Sequence, residues 1–228
     1  FLDGMTSGSE IAEFVLRPLA ENLTGPTAEE CYAQAQRGAV WCAVCEEADV
    51  PEDVADKLTH GYCAVLFPGL RRALCFEVKS GTRRGPSAPE TENTVKGAKD
   101  AFTETVRINT TLVRRHLRTP QLRLTQKTVG RRSRTNVTIC SVVGLTDPAL
   151  VQRMEKRLDA IDIDGLLSPA AVEEYVTGSR RTAFPLLDYT ERTDKFCQGL
   201  LRGQVGLLVD GLPLGYLAPV DLGLLMES

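Results

Sequence analysis

The most reactive pattern in the chain is Trp41-Cys42-Ala43-Val44-Cys45, because WCxxC is the active-site motif of thioredoxin-like oxidoreductases. That chemistry requires the first cysteine at a helix N-terminus, where the helix dipole lowers the thiol pKa. Pro51 follows so closely that little room is left for such a helix, and the run from Gly38 to Val44 instead predicts a strand. We therefore expect Cys42 and Cys45 to be unbonded and largely buried in a strand. A thiol oxidoreductase is the less favoured alternative.

The seven cysteines lie mostly inside apolar runs, which is typical of buried thiols in a reducing compartment. Neither of the two histidines is near a nucleophile motif, and the sequence has no zinc-protease, α/β-hydrolase or phosphate-loop motif. Asp162-Ile163-Asp164-Gly165 resembles a fragment of a calcium-binding loop but lacks the later ligands, so it predicts a helix end and turn. We expect no enzyme activity, no cofactor and no metal site.

Charge is concentrated between Lys96 and Thr135, where 11 basic and 2 acidic residues stand in a chain of net charge −3. These residues have three possible roles: the solvated face of a helix, neutralisation of nucleic-acid phosphates, or pairing with acidic groups across an interface. Nucleic-acid binding is disfavoured, because Phe102 is the only aromatic residue of the stretch and the pI is about 5.6.

The candidate binding residues all lie in this stretch: Glu104, Arg107, Asn109, Arg114, Arg115, Arg131, Arg132 and Ser133. The first five would form an interface between lobes or between subunits. Arg107 follows Glu104 by three residues, so the two would pair on a helix flank. The last three follow Gly130, where backbone N–H groups and two guanidinium groups suit a phosphate or small anion.

Hydrophobic periodicity predicts the elements that position these residues. Apolar side chains recur near helical spacing from about Asp100 to Leu117, which predicts an amphipathic helix that ends before Pro120. Residues 122–138 alternate polar and β-branched side chains, which predicts strand with Gly130 as a turn or bulge.

Helices and strands alternate through the rest of the chain. Further helices are predicted at residues 7–22 (with Ser9 as the candidate cap), 29–36, 52–59, 147–160, 170–176 and 192–201. Further strands are predicted at residues 62–67, 72–78, 137–143, 184–188, 205–209 and 214–220, with hairpins around Pro68-Gly69 and Asp210-Gly211.

The chain also repeats itself. Moved back by 142 positions, residues 203–212 match residues 61–70 at two glycines and two leucines. Moved back by 140 positions, residues 142–146 lie on residues 2–6. Two matches at nearly one spacing predict an α/β fold of two related α/β lobes, each a small mixed sheet with packed helices. We place the N-terminal lobe at residues 1–80, a Gly/Ser/Pro-rich linker at 81–99 and the C-terminal lobe at 100–228.

The composition is that of a globular protein. With 228 residues, 43% of them hydrophobic and 25% charged, the chain is expected to bury one or two cores. No stretch approaches the roughly 18 uncharged apolar residues of a membrane helix, and the first residues lack the features of a signal peptide. We expect an excised soluble piece of a protein.

Five ordered blocks carry a family resemblance: GAKDAFTETVRINTTLVRRHL, TVGRRSRTNV, GLTDPALVQRMEKRLDAIDIDGLL, FPLLDYTERTD and GQVGLLVDGLP. Together they resemble the A subunits of bacterial spore-germination nutrient receptors, the GerA family. The resemblance is strong from Lys96 to Pro219 and looser before that. One departure is Gly97-Ala98-Lys99, where family members usually have GPK or GPR.

The resemblance implies the N-terminal domain of a receptor A subunit, facing the spore cytoplasm at the spore inner membrane, without the transmembrane part. It implies partnership with receptor B and C subunits, a homo-oligomer through the full-length A subunit, and a role in nutrient sensing, receptor assembly and ion-channel gating that triggers germination. It also favours the interface hypothesis for the basic stretch. The main alternative is a two-lobed module that binds a small molecule, such as a nutrient, in its cleft.

Overall fold

The computed structural model describes residues 1–40, 44–79, 100–177 and 187–219. The chain divides into two compact units. Unit 1 comprises residues 1–84 with 118–120, and unit 2 comprises residues 85–117 with 121–228. The predicted linker at residues 81–99 lies outside the described residues, so the lobe boundaries stay a prediction.

Unit 1 begins with helices. They are α1 (Gly8–Glu10), continued by a π-helical segment (Ile11–Leu16) and α2 (Arg17–Asn22); α3 (Ala28–Gln34), continued by a π-helical segment (Ala35–Ala39); and α4 (Pro51–Thr59). The first helix is capped by Ser7, whose hydroxyl accepts a hydrogen bond from the Glu10 N–H at 3.4 Å. The predicted cap, Ser9, lies inside the helix, where its backbone is already helical and its side chain cannot turn back to the first N–H groups.

The sheet of unit 1 has three antiparallel strands in the order β1-β3-β2, namely β1 (Cys45–Ala48), β2 (Tyr62–Leu66) and β3 (Ala73–Glu77). One face of the sheet buries Leu74 and Phe76 against Ile11, Val15 and Tyr32 of the helices. The strand predicted from Gly38 is wrong at its start, because Gly38 has a φ of 100° and lies in the segment that ends α3.

Unit 2 has a five-stranded antiparallel sheet in the order β4-β5-β7-β8-β6. Its strands are β4 (Leu122–Val129), β5 (Thr135–Val142), β6 (Asp188–Thr190), β7 (Val205–Val209) and β8 (Gly215–Ala218). Its helices are α5 (Val106–His116), α6 (Pro148–Asp159), α7 (Val172–Thr177), which follows a 3-10 turn (Pro169–Ala171), and α8 (Thr193–Leu201).

All five residues of the central strand β7 are buried. Successive side chains of a strand point to opposite faces of the sheet, and here helices cover both faces. Val205 and Leu207 join a core with α6 and α7, whereas Leu208 joins a core with α5 and α8. Residues 184–186 of the predicted strand 184–188 lie outside the described residues, and the described strand β6 begins at Asp188.

The predicted α/β class and the relationship between the two lobes are confirmed, but the sheets are antiparallel rather than mixed among the described strands. In unit 1, α4 connects β1 to β2; these two strands run in the same direction, and β3 lies between them. In unit 2, α8 connects β6 to β7 in the same way, and β8 lies between them. The order of elements in the sequence predicts that the two connected strands run in the same direction. Only the observed strand pairing shows that β3 or β8 lies between them.

The repeat extends to the register. The pair Cys63–Phe76 of unit 1 recurs in unit 2 as Val205–Ala218, and Ala48–Ala73 recurs as Thr190–Gly215, each residue 142 positions later. Helix α4 recurs as α8 at the same offset. Because neither an insertion nor a deletion interrupts residues 45–76, the two copies share one strand–helix–hairpin structure.

The turn that precedes each copy is repeated as well, at an offset of 140 residues. Gly4 and Gly144 both have positive φ, of 81° and 87°. An added Cβ at Gly61 would lie 3.0 Å from the Met5 carbonyl oxygen, and one at Gly203 would lie 2.8 Å from the Leu145 carbonyl oxygen. In each unit the turn therefore packs against an equivalent glycine, Gly61 in unit 1 and Gly203 in unit 2.

Candidate functional site

Helix α5 carries most of the predicted site residues, and it is firmly attached to unit 2. Val106 and Val113 lie in the core that α5 shares with α8. The N–H of Val106 donates a hydrogen bond to Asp210 Oδ1 at 2.9 Å, and the N–H of Gly211 donates to the Glu104 carbonyl at 2.6 Å. The β7–β8 turn thus supplies the cap of α5.

The helix begins at Val106, six residues later than predicted. The residues before it are extended, because Phe102 N–H donates to the Glu191 carbonyl at 2.8 Å. The Phe102 ring packs edge-on against Phe196, with the ring centroids 5.2 Å apart. Phe102 is therefore apolar because it contacts α8, although its spacing in the sequence also fits a helix. Glu104 lies outside the helix, so the helical spacing that predicts its pairing with Arg107 does not apply.

Asn109 faces the interior of unit 2 and is 0% exposed. Its Oδ1 accepts hydrogen bonds from the Thr103 N–H at 2.8 Å and the Thr103 hydroxyl at 3.3 Å, and its Nδ2 donates to the Thr103 carbonyl at 2.6 Å. A side chain buried in this way has no surface to present to a partner. Its role is to hold the extended segment against the first turns of α5.

Three arginines of α5 lie nearer the surface. Arg107 is exposed, whereas Arg114 and Arg115 are half-buried. Arg107 and Arg114 share one face because they stand seven residues apart. Arg114, Arg115 and His116 occupy the last helical turn, where positive charge is favourable with the helix dipole. We call Arg107, Arg114 and Arg115 the basic face.

The basic turn after β4 has an intramolecular partner. The N–H groups of Arg131 and Arg132 donate to the carbonyls of Ile163 and Asp164 at 2.9 and 2.7 Å. The Ser133 N–H also donates to the Asp164 carbonyl, at 3.3 Å, and the Ser133 hydroxyl accepts from the Leu166 N–H at 3.0 Å.

Carboxylates meet the same turn. Arg131 Nη2 lies 2.6 Å from Asp162 Oδ1, and Arg132 Nε lies 4.0 Å from Asp164 Oδ2. The backbone N–H groups on which the predicted anion site depends therefore already have acceptors in the segment 162–166, which disfavours that site. The segment Asp162–Gly165, predicted as a helix end and turn, follows α6 as non-helical chain with a bend at Asp164, and its partner is this basic turn. The described residues hold no cluster of potential metal ligands.

The cysteines of the described part of the chain do not form an activated pair. Cys45 is in a strand, as predicted, but it is exposed rather than buried. Trp41, Cys42 and Ala43 lie outside the described residues. Burial raises the pKa of the Cys75 and Cys140 thiols, and it raises the pKa of Cys197 to about 12. These three thiols are poor nucleophiles at neutral pH.

One cavity of about 310 Å³ lies within unit 2, between α6, α7 and the ends of β7 and β8. Its described walls are mainly apolar, with two arginines among them: Leu150, Arg153, Met154, Arg157, Val176, Thr177, Leu187, Val205, Ala218 and Pro219. Arg157 Nη1 donates to the Val176 carbonyl, which holds one guanidinium at the wall.

Two contacts were not predicted from the sequence: Asp210 as the cap of α5, and the pairing of the basic turn with residues 162–166. Asp210 stands 104 positions after Val106, and no local pattern connects the two. The opposite charges of residues 131–132 and 162–164 were the only signal for the second contact. In the part of the chain that the structure describes, no helix is long and apolar enough to cross a bilayer.

A protein-family model described as Bacillus/Clostridium GerA spore germination protein matches residues 1–228. Among curated proteins, stage V sporulation protein AF of Bacillus subtilis is 36% identical over 178 residues, which cover 78% of this chain and 36% of that protein. The uncharacterized membrane protein YfkQ of Bacillus subtilis is 29% identical over 228 residues, or 100% of this chain and 44% of that protein. The chain thus spans less than half the length of these two relatives.

A crystal structure has a similar fold. It is the N-terminal domain of the A subunit of the Bacillus megaterium spore germinant receptor GerK3, with a TM-score of 0.70 and 28% sequence identity. The match covers 97% of this chain and 81% of the other. None of these three names describes an enzyme.

Proposed function

The chain belongs to the Bacillus/Clostridium GerA family of spore germination proteins, and we propose that it acts as the N-terminal domain of a germinant-receptor A subunit. The likeness to the GerK3 A-subunit domain over 97% of the chain carries the proposal. In this role it takes part in nutrient sensing, receptor assembly and the ion-channel gating that triggers germination, without catalysing a reaction. The domain faces the spore cytoplasm at the inner membrane, and its partners are receptor B and C subunits and further copies of the full-length A subunit.

The basic face is the docking surface in this proposal. Support comes from the attachment of α5, since Val106, Val113 and the Asp210 cap fix the helix to the core. On this fixed helix Arg107 is exposed and Arg114 and Arg115 are half-buried. A rigid helix presents charged groups at low entropic cost, which favours binding to acidic groups of another subunit. Arg131 and Arg132 are less suited to docking, because Asp162 and Asp164 face them.

Germination of spores that carry the full-length protein tests this proposal. We expect the triple substitution Arg107→Ala, Arg114→Ala, Arg115→Ala to abolish assembly with the B and C subunits and the response to nutrient. Truncating one partner of a buried interfacial charge pair costs about 2–5 kcal/mol. The melting temperature of the isolated chain should change much less than assembly does, since charge pairs that remain in contact with solvent contribute roughly 0–1 kcal/mol each.

The matched control replaces two exposed basic residues elsewhere in unit 2, Lys156→Ala in α6 and Arg202→Ala just after α8, and should leave both assembly and germination intact. Normal germination and subunit co-purification of the triple variant would show that the basic face is only a solvated surface. Loss of germination in both variants would point to charge in general rather than to this face.

The cavity of unit 2 supports a second candidate, binding of a small nutrient. At about 310 Å³ it is near the lower limit of ligand sites, and apolar walls with two arginines suit a small apolar carboxylate. We expect apolar amino acids to raise the melting temperature of the chain and expect Leu150→Trp, which narrows the cavity, to remove that shift. Leu201→Trp, at an exposed site of α8, is the control. A shift that survives Leu150→Trp would exclude this cavity.

A further inference from the structure

The two copies of the strand–helix–hairpin structure differ at one edge. In unit 2, β7 pairs with β8 on one side and with β5 on the other. In unit 1, the equivalent strand β2 pairs with β3, and it is the edge strand of the described sheet. The difference shows in burial, since all of β7 is buried whereas β2 is mostly half-buried or exposed.

Leu66 is the clearest case. It is 72% exposed at the end of β2, whereas its equivalent Leu208, 142 positions later, is 0% exposed, with β5 beside it in the sheet and α5 and α8 packed on its face. An edge strand of this kind offers a row of backbone N–H and C=O groups to another strand. A large apolar side chain at that edge adds to the gain in free energy when a strand covers it.

The path of the chain indicates which strand fits. In unit 2, β5 ends at Val142 and runs directly into the turn at residues 142–146, which packs on Gly203. In unit 1, the equivalent turn begins at Leu2 and packs on Gly61. A strand that enters this turn in the same way arrives beside β2, antiparallel to it, without any crossover.

We infer that the polypeptide directly preceding Phe1 in the full-length protein forms a strand that pairs with β2 and completes a four-stranded sheet in unit 1. Unit 2 supplies the register, because Cys140 lies opposite Gly206, Ile139 opposite Leu207, and Thr138 opposite Leu208. The residue immediately before Phe1 therefore lies opposite Ala64. The two residues before that lie opposite Val65 and Leu66. The occupant is a strand of the same polypeptide rather than a strand of another protein.

Hydrogen exchange provides the direct test. Two natural chains are compared, one that starts at Phe1 and one that starts about ten residues upstream, and amide exchange is followed by mass spectrometry. We expect the amides of residues 62–66 that do not bond to β3 to exchange roughly tenfold or more slowly in the longer chain. The opposite edge strand, residues 45–48, is the internal control and should not change. Equal exchange of residues 62–66 in the two chains would overturn the inference, and so would protection of residues 45–48 instead.

A substitution gives an independent readout. Leu66→Ala should lower the melting temperature more in the longer chain than in the chain that starts at Phe1, because the added strand covers part of the Leu66 side chain that is exposed without it. The matched control is Leu201→Ala, at a side chain 51% exposed on α8, which should have the same effect in both chains. If Leu66→Ala also has the same effect in both chains, the added residues do not cover β2 and the inference fails.

Discussion

Residues in and around α5 differ in what their side chains contact, although they share one stretch of sequence. Asn109 lies two positions from Arg107, yet its side chain forms hydrogen bonds with Thr103 inside unit 2. Arg131 and Arg132 face Asp162 and Asp164 instead of an outside anion. The role of each of these residues therefore depends on the partner that the fold places beside it, and not on its residue type alone.

At this scale we predict that Asn109→Ala destabilises the chain by about 1–3 kcal/mol, because it removes the partners of the Thr103 N–H and carbonyl. Urea unfolding measures the loss. Gln126→Ala, at an exposed position of β4, is the control and should change stability by no more than about 0.5 kcal/mol. Similar losses for the two variants would mean that the Asn109 bonds contribute nothing specific.

Helices of unit 2 begin either at a local sequence signal or at a contact with a distant segment. Helix α6 starts with a local signal, since Asp147 accepts a hydrogen bond from the Ala149 N–H at 2.9 Å and Pro148 is its first residue. Helix α5 lacks such a signal, and its own Thr105 makes no capping bond. Its start is determined by Asp210 from the β7–β8 turn.

For this element we predict that Asp210→Ala costs about 1 kcal/mol of stability and speeds amide exchange in the first turn of α5, because the Val106 N–H loses its acceptor. Asp210→Asn keeps an acceptor oxygen and should cost less. Equal losses for the two variants would assign the effect to the negative charge near the helix N-terminus rather than to the hydrogen bond.

Over the whole molecule, the internal repeat is the main organising feature. The strand–helix–hairpin structure occurs once in each unit with one register, and a turn packs on the same glycine in both. A contact that is present in both copies is a requirement of the shared fold rather than of either unit alone.

We therefore predict that Gly61→Ala and Gly203→Ala both destabilise the chain, and that each costs more than Gly69→Ala. All three glycines have positive φ, so alanine meets strain of about 1–2 kcal/mol at each site. Only Gly61 and Gly203 also face a carbonyl oxygen, whereas a Cβ at Gly69 would meet nothing within 4 Å. Urea unfolding of the three variants measures the difference, and equal costs would mean that the turn contact relaxes freely.

The sequence by itself determined the features that depend on neighbouring residues. The start of α6 at Asp147-Pro148 and the turn at Gly130 follow from capping and turn chemistry, which act over a few residues. The repeat and the family resemblance were also visible in the sequence, because both are patterns of residue identity. They predicted two related α/β lobes.

Tertiary structure alone decided the features that depend on residues far apart in the chain. It placed β3 between β1 and β2, and β8 between β6 and β7. It also set the start of α5 at Val106 and paired the basic turn with residues 162–166. Periodicity cannot show these contacts, because strand pairing and burial depend on which segments meet when the core closes. Phe102 illustrates the reason: its spacing suits a helix, but hydrogen bonding to Glu191 and packing on Phe196 hold it in an extended segment.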